Sequence, residues 1–441
     1  MTGGSTAGLP MKGRADMTTN EKALDFLTRH GMNPESVDPD VCIFRMLAEM
    51  KNGLAGEACS MDMIPTYLSN DGELQHDVQA AVIDAGGTNF RSALVHFQSG
   101  GYKVTDMIKR RMPGTEAPCT WEEFIRFTAD AIEPLMDRAD VIGFCFSYAA
   151  TITPERDGRV ITIDKEVVVN GCEGQLIGAS LIAELERRGI TGKKIVILND
   201  TVAVLLGMAA GLDKSRYAGF IGQVSGTGTN TCVSLPVSAI GKLGLEGDKG
   251  MIINLESGKY DGIQGGDFDK MLDEQSHNPG QKHFEKLTAG VYLGEICHLM
   301  LNTAADEGLL SEECAGKVRA LPVFDSAVID AWACGEGFEM LGGNEDDHSF
   351  AQTLSLALFH RSARCMCVNL LALAELIGGG REKPVCMLAE GSLVQKGRCY
   401  RPELERLLNL YGTEKRGITC ELHVGSETTL PGSAAAALLN T

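Results

Sequence analysis

The stretch AVIDAGGTNFRSALVHF (residues 81–97) decides how the chain is read. An apolar run stops on Asp84, breaks at Gly86-Gly87-Thr88-Asn89, and resumes as Ser92-Ala93-Leu94-Val95. This pattern predicts two strands joined by a tip that carries Gly-Thr in place of an ordinary two-residue turn. Glycines let backbone N–H groups approach an anion because no Cβ intervenes, and a threonine hydroxyl adds a donor. A carboxylate at the end of the first strand can orient a hydrated Mg2+ beside such a tip. The stretch therefore reads as a phosphate-holding hairpin. It is not a P-loop, because no G-x-x-x-x-G-K-[ST] run occurs in the chain.

A second copy of the plan lies in IGQVSGTGTNTCVSL (residues 221–235). Two such hairpins suggest duplicated halves, each offering a tip to a shared cleft. Two unrelated hairpins that need glycine for positive φ would look the same. A third element is KKIVILNDTVAVLLGMAAG (residues 193–211), in which an apolar strand ends on Asn199-Asp200 and a helix follows. A carboxylate there is placed to take a proton from a substrate hydroxyl. The alternative is that Asp200 or Thr201 only caps the helix.

Further strand-like runs span 141–146, 194–198, 384–389 and 418–424, and helical spacing covers 20–52, 121–138, 176–188, 287–305 and 401–410. Strands alternating with helices over 441 residues predict an α/β protein with two domains. The formal charge of −19 argues against a broad nucleic-acid or anionic-membrane surface. It leaves room for a small phosphate ligand held by backbone amides and a metal. Fourteen cysteines without regular spacing read as buried thiols in a reducing, cytoplasmic setting. Residues 1–19 read as a mobile tail without a signal-peptide core, and the uncharged run 219–241 is too rich in Gly, Ser, Thr and Asn to span a membrane.

Taken in order, MIPTYL (63–68), IDAGGTNFR (83–91), GFCFSY (143–148), LNDTV (198–202), GTGTN (226–230), INLESG (253–258) and LDEQSHNPGQKHFEKLTAGVYLGEI (272–296) resemble the hexokinases. The resemblance runs from about residue 20 to the end of the chain. It implies an α/β fold of two actin-like ATPase (ribonuclease H-like) domains, small and large, flanking a central cleft. It also implies ATP and Mg2+ as cofactors and a hexose as substrate, with glucose first and fructose or mannose as alternatives. By the same resemblance Asp200 would be the general base, and Lys165 would hold the sugar and offset charge near the transferred phosphoryl group. Ser147, Asp164, Asn199, Asn230, Glu256 and Glu274 would contact the sugar. Asp84, Gly86, Gly87, Thr88, Asn89 and Arg91 on one hairpin, with Gly226, Thr227 and Gly228 on the other, would clamp the phosphates, Asp84 reaching Mg2+ through water. Gly391, Ser392, Gly425 and Ser426 resemble adenosine-site positions.

The implied layout places 20–66 with the large domain and 67–201 in the small domain. Residues 202–430 form the large domain, and 431–441 are a terminal helix returning to the small one. A sensor that binds sugar without transfer, and an actin-like scaffold, are the competing classes. Intact Asp84, Lys165 and Asp200 count against the first, and the sugar-facing set has no use in the second. Three positions depart from the family's pattern. Ala149 stands where proline is usual, Asp164 replaces a hydroxyl residue, and the segment after Ser426 lacks the usual glycine spacing. No C-x-C-G-x-x-G-C arrangement appears, so no structural zinc is expected.

Overall fold

The structure, a computed structural model, describes residues 17–163 and 167–441. The first hairpin belongs to a five-stranded sheet. Strands β1 (Val78–Gly86), β2 (Asn89–Gln98) and β3 (Gly101–Arg111) form an antiparallel meander. β4 (Val141–Phe146) then runs parallel to β1, and β5 (Lys194–Leu198) parallel to β4. The order is β3-β2-β1-β4-β5. β3 escapes a search for apolar runs because it is a largely exposed edge carrying Lys103, Lys109, Arg110 and Arg111. Such charges discourage pairing with another chain.

The second sheet repeats the plan. β6 (Gly219–Ser225), β7 (Thr229–Pro236) and β8 (Gly250–Asn254) are antiparallel, and β9 (Val385–Glu390) and β10 (Cys420–Val424) follow in parallel. The order is β8-β7-β6-β9-β10, with Ile64–Pro65 added at the β8 edge. Strand directions and order match those of the first sheet, so the two hairpins are equivalent parts of duplicated halves.

Helices α1 (Thr19–Arg29) and α2 (Pro39–Ala55) bury Ala23, Phe26, Ile43 and Met46 in the core of the larger half. The helical spacing over 20–52 is thus two helices, because Pro34 and Pro39 each start a new helical segment. α3 (Trp121–Ile132) and α4 (Ile177–Arg187) cover the face of the small sheet that carries Ala81, Ile83 and Ala85. The opposite face carries Ala80 and Val82, and the two-residue period puts Asp84 on that inner side.

Between the two sheets lie α5 (Asp200–Ala209) and the last helix of the chain. In the larger half come α6 (Asp267–Gln275), α7 (His283–Thr288), α8 (Gly290–Asp306) and α9 (Glu345–Ile377), with α10 (Thr429–Asn440) closing the chain. α5 leaves the small sheet and packs on β6, β7 and β9 of the large one. α10 leaves the large sheet and packs on β1, β4 and β5 of the small one. Each half thus lends its last helix to the other. Together they bury a shared core of Val82, Val95, Leu198, Leu205, Phe220, Ile252, Leu388 and Ala435.

α9 has no amphipathic period to betray it, because it is buried nearly all round. It is long and apolar enough to cross a membrane by length and composition, yet 89% of its apolar window lies inside the protein. Cys365 and Cys367 lie on it as buried thiols. Its buried Arg361 pairs with Asp269 of α6 through bonds of 2.6 and 2.7 Å.

The exchanged helices fit only because glycines remove side chains where backbones meet. A Cβ on Gly432 of α10 would lie 1.9 Å from the Ala203 carbonyl oxygen of α5, and one on Gly143 of β4 would lie 1.9 Å from that of Ser433. Gly432→Ala must therefore push backbone against backbone. We expect it to cost about 1–3 kcal/mol, the usual range for overpacking, read as a lower urea midpoint. An unchanged midpoint would show that the helices are free to separate.

Candidate active site

The two strand pairs bring their tips to the same cleft from opposite sheets. At the first tip Gly86 pairs with Asn89, and Gly87 takes φ +59°, which favours glycine. Asp84 sits opposite Arg91 in the same ladder, and its carboxylate Oδ2 accepts from Arg91 Nε at 2.8 Å and Nη2 at 2.5 Å. Burial pushes the Asp84 carboxyl above its ordinary value, and the Arg91 guanidinium pulls it back down. Arg91 therefore orients the carboxylate.

The loop that leaves β4 buttresses this tip. Ser147 N donates to the Ala85 carbonyl at 3.1 Å, and the Tyr148 hydroxyl donates to the Gly87 carbonyl at 2.5 Å. A Cβ on Gly86 would approach Ser147 Oγ to 3.2 Å. Ser147, assigned to the sugar, thus stands directly against the phosphate tip. Tyr148 adds an anchor just before Ala149, where a rigid proline is missing.

At the end of β5, Asn199 is the helix cap, its Oδ1 accepting from Thr201 N at 2.9 Å. Asp200 is the first residue inside α5, and its Oδ1 accepts from the same amide at 2.7 Å. Burial, then Asp84, then Asp200 push the Cys145 thiol well up, so both carboxylates stand within electrostatic reach of one buried sulfur. Asn230 of β7 donates from Nδ2 to Asn254 Oδ1 at 2.8 Å and to Glu256 Oε1 at 3.2 Å, while Asn254 Nδ2 reaches Glu256 Oε1 at 2.9 Å. Asn230 also approaches Asn199 Oδ1 at 3.5 Å. Burial raises the Glu256 carboxyl, and the bond from Asn254 counters it. Glu256 holds φ +56°, a left-handed conformation that turns the chain under this cluster.

The second tip is cramped. Gly226 N donates to the Gly228 carbonyl at 3.0 Å, and Gly290 N donates to the Gly226 carbonyl at 2.8 Å. Gly391 takes φ +123°, and a Cβ there would lie 2.3 Å from the Ser225 carbonyl oxygen. Only glycine lets the segment after β9 lie on the root of the second hairpin. A cavity of about 530 Å3 opens beside it, lined by Gly226, Thr227, Gly290, Ser326, Ser392 and Lys396 among others. That volume suits a nucleoside-sized ligand.

Glu274 is exposed on α6. The carboxylate that its segment delivers to the second tip is Glu285 of α7, whose Oε2 accepts from Thr229 N at 3.1 Å and lies 2.9 Å from where a Gly228 Cβ would be. Glu285 was missed because it sits in a helical stretch, HFEKLT, without a turn signal. Gly425 and Ser426 lie outside the residues lining the cavity. Gly425 instead donates to the Ala389 carbonyl and accepts from Gln395 Nε2 at 2.5 Å, so it supports the loop that carries Gly391. Asp164 and Lys165 lie outside the described residues.

Glu390, at the end of β9, is a further unanticipated member. It accepts from the amides of Glu427 and Thr428 at 2.8 and 3.0 Å and from the Thr428 hydroxyl, so it holds the start of α10. It also adds to the rise of Asp84. Its signal in the sequence is an acid that closes an apolar run, as Asp84 does in the first hairpin.

Two family models, both described as Hexokinase, match residues 39–210 and 220–439. Hexokinase-3 of Mus musculus is 33% identical over 274 residues, which are 58% of this chain and 29% of that protein. Hexokinase-1 of Schizosaccharomyces pombe is 29% identical over 306 residues, 65% of this chain and 62% of that protein. The match thus spans less than two thirds of each relative's own length. Among solved structures, a hexokinase from Schistosoma mansoni complexed with glucose superposes with a TM-score of 0.75 at 20% identity, covering 95% of this chain and 98% of that one. A ROK family glucokinase from Streptomyces griseus gives 0.51 at 16% identity, covering 82% and 99%. These likenesses establish the fold, two actin-like ATPase domains around a cleft.

Two substitutions test the geometry. Arg91→Met leaves Asp84 buried without its guanidinium, with an expected loss of about 1–3 kcal/mol at pH 7. The folded variant then holds its Asp84 proton where the unfolded chain has released it. The loss should be full above the raised folded value and disappear as pH falls toward the ordinary 3.8. Urea midpoints at pH 7 and pH 5 check this, and equal deficits would contradict it. Tyr148→Phe should speed amide exchange over residues 86–90 by up to roughly tenfold, the worth of one hydrogen bond, while the global midpoint hardly moves.

Proposed function

Because the chain belongs to the hexokinase family, we propose that it transfers the γ-phosphoryl group of ATP to the 6-hydroxyl of a hexose, with glucose the first candidate. The observation that carries this reading is the placement of Asp200. It follows directly the amide that joins the Asn230–Asn254–Glu256 cluster, and it shares the surroundings of Cys145 with Asp84. A neutral sugar suits amides and carboxylates, because hydroxyls donate charge-assisted bonds to carboxylates. Asn199, Asn230, Glu256, Glu285 and Ser147 would take the ring hydroxyls, and Asp200 would accept the proton of the 6-hydroxyl.

The new bond joins the sugar oxygen to the γ-phosphorus as the bridge to the β-phosphate breaks, and ADP leaves. Such transfer is chiefly positioning and electrostatic stabilisation. The glycine tips around Gly87 and Gly226 offer backbone N–H groups to the phosphates, and the cavity beside Ser392 would take the nucleoside. The oxygen donors at Asp84, with Glu390 near it, fit a hard cation such as Mg2+. When bound, Mg2+ would offset phosphate charge. Lys165 is proposed for the sugar side of the same charge balance.

The test is a coupled ADP-release assay over a panel of hexoses. Asp200→Ala should keep its fold and lose sugar-dependent turnover by at least ~10²-fold, the lower range for a lost general base. Near-normal turnover would remove Asp200 from the role. Glu285→Gln should raise the hexose KM by about tenfold, as expected for one charge-assisted bond, while Glu274→Gln leaves it unchanged. The reverse pattern would return the sugar contact to Glu274.

A further inference from the structure

Away from the hairpins, two thiols face each other just behind residues that line the cavity. Cys334 ends the helix Ser326–Ala333, Cys399 precedes the helix Tyr400–Leu407, and their sulfurs are 3.5 Å apart. Both are half-buried, so small reagents can reach them. Asp330, one turn before Cys334, fixes the two segments together. Its carboxylate accepts from the backbone N of Arg398 at 2.9 Å and from Arg398 Nε at 3.0 Å, and Arg398 Nη1 reaches Glu336 at 2.9 Å. The sulfurs are therefore held in contact by non-covalent means.

Asp330, Cys334 and Cys399 also bring their donor atoms within 4.8 Å of one another, as a cation site would. The guanidinium argues against that use. Both Asp330 oxygens already accept from Arg398, and a bound dication would sit beside a fixed positive charge. A disulfide needs neither the carboxylate nor a cation. Its S–S length is about 2.05 Å, so the sulfurs have to approach by about 1.5 Å from their 3.5 Å separation.

We propose that Cys334 and Cys399 form a reversible disulfide, a redox-modification site next to the wall of the cavity. The oxidant is a low-molecular-weight disulfide, RSSR. Burial and the facing Cys334 thiol push the Cys399 thiol up, and the first attack is assigned to Cys334. The Cys334 thiolate attacks RSSR, forming a mixed disulfide and expelling RS−. Cys399 then attacks the Cys334 sulfur, its proton leaving with the second RS− as RSH. Overall two protein thiols become one S–S bond, and RSSR becomes two RSH.

Asp330, Lys396 and Gly397 belong both to these segments and to the cavity lining. Closure of the bond therefore re-sets one wall of the cavity. The effect on nucleotide rests on the function proposed above, whereas formation of the bond does not.

The experiment treats the reduced full-length chain with glutathione disulfide, alkylates the remaining thiols after denaturation, and maps the peptides. We expect two fewer alkylated thiols, a linked Cys334–Cys399 peptide, reversal by dithiothreitol, and no such link in Cys334→Ser or Cys399→Ser. Oxidised wild type should also show an ATP KM raised about fivefold or more, the lower range of site couplings, with the oxidised double variant Cys334→Ser/Cys399→Ser unchanged. A stable glutathione adduct, a link elsewhere, or stoichiometric Zn2+ that both serine variants lose would overturn the disulfide. A link that forms while the ATP KM stays constant would overturn the coupling and trace the fault to the reading of the cavity.

Discussion

The constraint on which the rest of the structure depends is the crossing of two helices at backbone contact. α5 and α10 meet where Gly432 faces the Ala203 carbonyl, and Gly143 lets α10 lie flat against β4. This close approach fixes the spacing of the two sheets, because both helices are sandwiched between them. The spacing in turn sets where the strand ends look at each other. Asp200 opens α5, Glu390 holds the start of α10, and Asp84 projects from the inner face of β1. Site and scaffold are thus one arrangement.

The site is acidic in an acidic chain, although it is proposed to handle a triphosphate. Each carboxylate has a local reason to be there. Asp84 is pinned by Arg91, Glu256 by Asn254, Glu285 by the Thr229 amide, and Glu390 by the amides that start α10. Carboxylates tied in this way cannot swing toward one another, so their repulsion is held in check by fixed donors. On the proposed function the phosphate side would rely on neutral backbone N–H groups at the two tips, which attract anions without adding net charge.

Much of this plan was legible before any coordinates. Glycine and threonine tips between apolar strands announce themselves, because such turns admit few residue types. The repeat of the pattern announced the duplicated halves. What stayed hidden lacked periodicity. β3 is a polar edge, and α9 is buried on all sides, so neither shows the alternation that marks a half-buried element. Glu285 sits in an ordinary helical run on α7, and the exposed Glu274 lies one helix earlier, on α6. Gly425, a position the resemblance gives to the nucleotide, also supports the loop next door. Register and packing decide such choices, and a linear string does not record them.

The exchange of terminal helices has a consequence for how the molecule can come apart or move. Each sheet's inner face is roofed by a segment that belongs, in chain order, to the other half. A single half isolated from its sister would expose that face to water and lose a hydrophobic layer that it cannot replace. The halves are therefore mutually obligatory partners, and opening must be a pivot about the paired cylinders rather than a parting of two independent bodies.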